Sequence, residues 1–104
     1  MRVHWTDHAK RRLKLIHDHI AKDAPLTALQ VFERLVRRSI QIGKVPCAGR
    51  EVPEYQREDV REILERPYRI LYHIKGNRID VITVMHYRQL LPDDLHSFSD
   101  TPSD

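Results

Sequence analysis

The sequence predicts an α+β fold in which a short N-terminal strand and an α-hairpin pack on one face of a small antiparallel sheet. Three observations predict it. Residues 68–86 hold two apolar runs, rich in β-branched and aromatic residues, on either side of Gly76 and Asn77. A two-residue connection of this kind is a strong hairpin signal because glycine readily adopts the positive φ that the turn needs. Residues 6–43 repeat apolar side chains at helical spacing, interrupted at Pro25. Residues 60–65 and 2–5 add further strand-like segments, the second of them expected at a sheet edge.

The two helices have recognisable boundaries. Thr6 is a predicted N-cap, Pro25 suits the first turn of a helix, and Gly43 is a predicted C-cap. The apolar face expected in the first helix is Ala9, Leu13, Ile16 and Ile20, and that in the second is Ala28, Val31, Phe32, Leu35, Val36, Ser39 and Ile42. An α-hairpin with these faces can cover one side of a sheet and no more.

The hairpin register assigns side chains to the two faces of the sheet. If Lys75 faces Arg78, Ile70 opposes Thr83. One face then carries Ile70, Tyr72, Ile74, Ile79, Val81 and Met85, and the other carries Leu71, Ile82 and Val84. Because side chains alternate along a strand, we expect the richer face to pack on the helices and the leaner face to stay open.

Composition predicts one domain over residues 1–91, followed by an acidic and disordered tail over 92–104. All 18 Lys and Arg lie in the first 91 residues against 11 of the 15 acids, so that part carries +7 and the tail −4. A basic domain suggests an acidic partner. The single cysteine, Cys47, forms no intrachain disulfide, and no stretch reaches the length of a membrane span. We therefore expect a cytoplasmic protein with no membrane partner and no cofactor.

A set of short motifs occurs in a fixed order along the chain. The set is Trp5 before the first helix, Pro25 opening the second, GR at 49–50, VPE at 52–54, RE at 61–62, YRILY at 68–72 and VMHYR at 84–88. Together these motifs resemble the RelE/ParE superfamily of bacterial toxins over residues 1–90, and they are most similar to the ParE branch.

The resemblance implies the toxin of a type II toxin–antitoxin pair, held inactive by a cognate antitoxin. ParE-like members inhibit DNA gyrase without performing chemistry, so no catalytic residue is expected. RelE-like members cut mRNA on the ribosome, and this activity is the alternative. An inactive member that only binds antitoxin is a third possibility. The toxin alone is not expected to bind DNA sequence-specifically.

Candidate residues follow for each partner. The predicted open face, with the arginines around it, is the expected antitoxin site: Leu71, Ile82, Val84, Arg61, Arg69 and Arg88. Basic side chains on the outer faces of the helices are the expected gyrase site: Arg11, Arg34, Arg37 and Arg38.

If the chain were a metal-independent ribonuclease, it would need proton-transfer groups and cations for the phosphate. The candidates are His86, Tyr87, Arg88, Arg69, Arg50 and Arg61. The simpler interpretation is that these arginines pair with Glu51, Glu54, Glu58 and Glu62. Lys44 is the only lysine in the loop before the sheet, where the nuclease branch has a lysine cluster, and this favours the gyrase inhibitor. The histidine spacings do not suit a metal site.

Overall fold

The computed structural model describes residues 1–98, apart from the side chains of His96 and Ser97. Its elements are β1 (Arg2–Trp5), α1 (Asp7–Ala21), α2 (Pro25–Lys44), β2 (Arg50–Glu51), β3 (Val60–Glu65), β4 (Tyr68–Lys75) and β5 (Arg78–His86). Short 3-10 helices lie at Pro46–Ala48 and Leu95–Phe98. The five strands form one sheet in the order β1-β5-β4-β3-β2. The predicted α+β fold is confirmed, with the refinement that β1 runs parallel to β5 and makes the sheet mixed.

The helices begin where the sequence predicts and end slightly differently. The Thr6 hydroxyl accepts a hydrogen bond from the Ala9 backbone N–H at 3.1 Å, which caps α1. Pro25 opens α2. The predicted cap at Gly43 is wrong, because α2 continues through Lys44. Gly43 serves another purpose, since a Cβ there would lie 2.8 Å from the Met1 carbonyl oxygen, and the chain start packs directly against it.

The predicted hairpin turn is confirmed. Gly76 has a φ of 58°, the left-handed conformation that glycine adopts without a steric penalty. Lys75 pairs with Arg78 on either side of the turn, as expected.

The register changes further along the hairpin because β5 contains a bulge. Tyr72 pairs with Val81, as predicted, but its neighbour Leu71 pairs with Thr83. Ile82 is therefore an extra residue with no opposite number on β4. A bulge places two residues of one strand against one of the other, so every later side chain changes face. The predicted pairing of Ile70 with Thr83 is wrong, and Ile70 pairs with Val84.

The bulge exchanges two side chains between the faces. Val84 packs with the core beneath the helices, and Met85 packs on the opposite side of the sheet. The helix-side core contains Ala9, Leu13, Val31, Leu35, Ile42, Ile63, Ile70, Tyr72, Ile79, Val81 and Val84. Phe32, predicted within this core, is instead 37% exposed at the edge of the α-hairpin.

The first part of the acidic tail is ordered in the structure, although the sequence predicts disorder from residue 92. Leu95–Phe98 forms a 3-10 helix, and Phe98 is only 7% exposed. Its ring lies edge-on to His8 with 5.3 Å between ring centroids. An aromatic side chain that finds a buried position can hold a polar segment against the domain. The prediction for residues 99–104 lies outside the described residues.

Candidate functional site

The sheet face opposite the helices is covered by the chain itself, which corrects the expectation that it is open. Val52, Val60, Leu71 and Met85 form a buried cluster on this face. Around this cluster pack Tyr55, from the loop between β2 and β3, and the apolar residues Ile82, Leu91 and Leu95. The Tyr55 hydroxyl donates to the Pro92 carbonyl at 2.6 Å, which ties the loop to the C-terminal segment. This face therefore has its own small core.

A groove of about 840 Å³ remains between the C-terminal segment, the loop after β2 and the turn end of the hairpin. Its apolar lining comes from Val60, Ile82, Leu95 and Phe98. Charged and polar groups also line it: His4, Thr6, Glu54, Tyr55, Arg57, His73, Lys75, Arg78, Asp80, Asp93 and Asp94. An apolar floor within a charged rim suits a peptide segment that carries both kinds of side chain.

Ion pairs already neutralise much of the rim. Asp80 lies 3.3 Å from Lys75 and 3.2 Å from Arg78. Asp59 lies 2.7 Å from Arg57 and 2.8 Å from His73. The hydrogen bonds from Arg57, followed by the contact with His73, lower the pKa of Asp59 from 3.8 to about 2.

The most buried charged group of the sheet is Glu62, whose side chain is 0% exposed. One oxygen accepts from Arg69 Nη1 at 2.8 Å, and the other pairs with Arg50, whose Nη2 lies 2.6 Å away. Arg69 also contacts Glu54 at 3.3 Å and the Gln89 carbonyl at 3.3 Å. Arg50 and Arg69, two of the six ribonuclease candidates, are therefore held by carboxylates. This agrees with the simpler interpretation, in which the arginines pair with glutamates such as Glu62 and Glu54.

The remaining nuclease candidates lie in two places. Arg61 donates to the backbone carbonyls of Glu58 and Gly49. His86, Tyr87 and Arg88 do come together at the end of β5, where the His86 and Tyr87 rings stack with 4.9 Å between their centroids. Arg88 Nε donates to the Tyr87 hydroxyl at 2.9 Å, and the Arg88 backbone N–H to His86 Nδ1 at 3.2 Å.

The predicted antitoxin residues are only partly accessible. Leu71 is fully buried, Arg69 is 5% exposed, and Val84 lies on the helix side of the sheet. Ile82 is half-buried and lines the groove, and Arg88 is exposed. The sequence contains no signal for the bulge that moved Val84 or for the segment that covers Leu71.

The four predicted gyrase arginines divide into two pairs. Arg34 and Arg38 of α2 both form ion pairs with Glu65 of β3, at 3.0 Å and 3.2 Å. Arg11 and Arg37 are exposed on the helices. The first pair joins the helix to the sheet, and the second pair is free to meet a partner.

Within residues 1–98, no cluster of three or more His, Cys, Asp or Glu is arranged to hold a metal ion. No helix in this range has the length and apolar character needed to cross a membrane.

An α-hairpin packed on a five-stranded mixed sheet defines the fold. A family model described as the ParE toxin of the type II toxin–antitoxin system, parDE, matches residues 3–91. The chain therefore belongs to the ParE toxin family, and the resemblance to this branch is confirmed.

A solved structure described as the chromosomal ParDE TA system from P. aeruginosa is similar to this chain. The two share 27% sequence identity with a TM-score of 0.71, and the alignment covers 83% of this chain and 95% of the other. No curated protein matches the sequence significantly.

Proposed function

We propose that this ParE-family toxin inhibits DNA gyrase in the cytoplasm and is neutralised by a cognate antitoxin. Membership of the family supports an antitoxin partner. The similar structure from P. aeruginosa is itself named as a toxin–antitoxin system. Gyrase as the target is the activity that the resemblance to the ParE branch implies.

The observation that carries the choice of gyrase over mRNA is the arrangement around Glu62. A metal-independent ribonuclease must direct cations at the scissile phosphate. Arg50 and Arg69 instead share the Glu62 carboxylate, which is 0% exposed. The Arg69 side chain is itself only 7% exposed, so its charge is paired inside the protein, whereas Arg50 binds the same carboxylate from the surface with 63% of its side chain exposed. Pulling Arg69 away would remove one of the two cations that pair with the buried Glu62 carboxylate, which is unfavourable. The two arginines thus hold β2, β3 and β4 together, and the buried Arg69 is poorly suited to binding RNA.

The groove beside Ile82 is the proposed seat for part of the antitoxin. Ile82 offers apolar surface, and Leu95 and Phe98 extend it. Burying an aliphatic side chain there contributes on the order of 1.5–3 kcal/mol before ordering costs. Arg61 and Arg88 lie outside the Glu62 network and are retained as candidate contacts for antitoxin carboxylates. Leu71 and Arg69 would then support this site from beneath the surface. Val84 is not part of the proposed site, because it lies on the helix side of the sheet.

Arg11 and Arg37 are the proposed contacts with gyrase. Both are exposed, whereas Arg34 and Arg38 are engaged by Glu65. Exposed arginines suit forked contacts with carboxylates of a protein or phosphates of gyrase-bound DNA.

A reconstituted gyrase assay tests the proposal. Purified toxin should reduce supercoiling of relaxed plasmid, and added antitoxin should restore it. Arg37→Ala should weaken inhibition more than Lys22→Ala, a control change at an exposed base in the turn after α1. In cells, the SOS response and filamentation should follow expression. Codon-positioned cleavage of ribosome-bound mRNA would assign the chain to the nuclease branch, and antitoxin binding without either effect would identify an inactive member.

A further inference from the structure

A row of exposed apolar side chains runs along the outer surface of α2. We call Leu26, Leu29, Phe32, Val36 and Ile40 the α2 stripe. Four of them are exposed: Leu26 by 70%, Leu29 by 47%, Phe32 by 37% and Ile40 by 55%. Val36 is half-buried between them. Residues at spacings of three and four lie on one side of a helix, so the five side chains form a continuous surface.

The α2 stripe is separate from the core face of the same helix. Ala28, Val31, Leu35 and Ile42 carry that face and are buried against α1 and the sheet. A contiguous exposed apolar surface of this kind marks an interaction site more often than scattered apolar residues do. Because the stripe residues lie mostly outside the core, they can be changed without loss of the fold.

Two opposite charges flank the stripe on its far side from α1. Glu33 and Arg37 are both exposed, and within residues 1–98 neither forms an ion pair or hydrogen bond with another side chain. They are four residues apart on α2 and so lie on the same flank. Because this flank carries one negative and one positive charge, it can form ion pairs with the same flank on a second copy of the chain.

The flank on α1 carries charges that are balanced locally. Lys10 lies 3.9 Å from Asp7, and Lys14 lies 2.6 Å from Asp18. His17 contacts Phe32 edge-on with 6.2 Å between ring centroids. Two copies of this surface can therefore approach without bringing unpaired lysines together.

We propose that the α2 stripe is an isologous interface between two copies of this chain. In an antiparallel pairing of α2 with its symmetry mate, Leu29 meets Ile40 of the partner subunit. The midpoint of residues 29 and 40 falls within one residue of the midpoint of 33 and 37. One two-fold axis therefore also places Glu33 beside Arg37 of the partner subunit, and the symmetry makes this contact twice.

The size of the stripe limits the area that the dimer can bury. From residue 26 to residue 40 the helix rises about 21 Å. Stable protein interfaces bury at least about 1,000 Å² in total, and a contact confined to one helical surface on each subunit is small on this scale. A small interface favours a weak dimer that is populated at high toxin concentration.

Sedimentation equilibrium of the full-length chain, free of antitoxin, tests the interface. The wild-type protein should be a reversible dimer at tens to hundreds of micromolar. Ile40→Glu should weaken the dimer at least tenfold. Leu15→Glu is the matched control, because Leu15 is also 57% exposed but lies on α1 outside the stripe. The dissociation constant of the Leu15→Glu dimer should equal that of the wild type, and thermal melts of both variants should confirm that they are folded.

A charge exchange tests the two-fold axis itself. Glu33→Arg and Arg37→Glu should each weaken the dimer, and the double variant should restore it because the two changes meet across the axis. If the double variant dimerises as weakly as either single variant, the proposal is overturned. A wild-type chain that stays monomeric at several hundred micromolar also overturns it. If Ile40→Glu lowers antitoxin affinity in such a monomeric chain, the stripe belongs to the antitoxin instead.

Discussion

Arg69 donates from Nη1 to Oε1 of Glu62 at 2.8 Å, and the two side chains are only 7% and 0% exposed. The pair lies on neighbouring strands, β4 and β3, beneath the C-terminal segment. Arg50 of the edge strand β2 binds the second oxygen of the same carboxylate. Glu62 thus joins three strands through one buried charge.

Replacing Glu62 should be among the most damaging changes on this face. Glu62→Gln removes the charge and leaves Arg69 buried without its main partner, which typically costs about 3–5 kcal/mol of unfolding free energy. Urea denaturation followed by circular dichroism measures the loss. Glu54→Gln is the control, because Glu54 is 44% exposed and contacts Arg69 at 3.3 Å. Its cost should stay below about 1 kcal/mol. Equal losses in the two variants would mean that Glu62 is not the centre of the network.

Asp59 should make stability depend on pH in the acid range. Its pKa is lowered from 3.8 to about 2, chiefly by Arg57 and then by His73. The unfolded chain therefore binds a proton at higher pH than the folded chain, so this contribution is complete above about pH 4 and is lost as pH falls towards 2. Because the side chain is 39% exposed, the contribution should be below about 1 kcal/mol.

The measurement compares the wild type with Asp59→Asn by denaturation at several pH values. Their stability difference at pH 6 should shrink by pH 2.5. A difference that is constant across this range would show that Asp59 keeps its ordinary pKa in the folded protein.

The elements of this fold follow from local sequence signals. Thr6 caps α1 through a single hydrogen bond, Pro25 starts α2 with its fixed φ, and Gly76 supplies the turn. Each effect acts within a few residues, so the sequence alone predicts it. The three central strands agree with the predicted ranges for the same reason.

Which side chains lie on each face of the sheet, and which of them are exposed, depends on contacts between distant parts of the chain. Nothing in the alternation of β5 marks Ile82 as an extra residue, and its bulge reverses the side chains after it. The cover over Leu71 depends on a turn of the chain after β5 that brings Leu95 back to the sheet. The pairing of Glu62 with two arginines depends on which strands become neighbours. The sequence therefore predicts the strands on which the candidate residues lie, but it does not predict which of these residues are exposed.

The C-terminal segment should contribute to stability. The sequence predicts that truncation after Leu91 leaves the melting temperature nearly unchanged, whereas the structure buries Phe98 to 7% exposure. Phe98→Ala should lower the unfolding free energy by about 1–3 kcal/mol, less than a central phenylalanine because the segment can detach locally. Leu90→Ala is the control, since Leu90 is 93% exposed and should change stability by less than about 0.5 kcal/mol. Thermal melts that show no difference between the two variants would contradict packing of this segment.

Val81 and Ile82 are adjacent on β5 but face opposite sides of the sheet, and this gives the sharpest test of the proposed antitoxin seat. Val81 is 0% exposed in the helix-side core, so Val81→Asp should bury an unpaired carboxylate and unfold the domain. Ile82 is half-buried in the groove, where an aspartate can reach water. Ile82→Asp should therefore remain folded by circular dichroism and reduce antitoxin affinity in calorimetry by at least tenfold, because it removes apolar contact and adds repulsion towards antitoxin carboxylates. Unfolding by Ile82→Asp with tolerance of Val81→Asp would mean that the two faces are reversed. A folded Ile82→Asp protein that binds antitoxin as the wild type does would place the antitoxin elsewhere on the toxin.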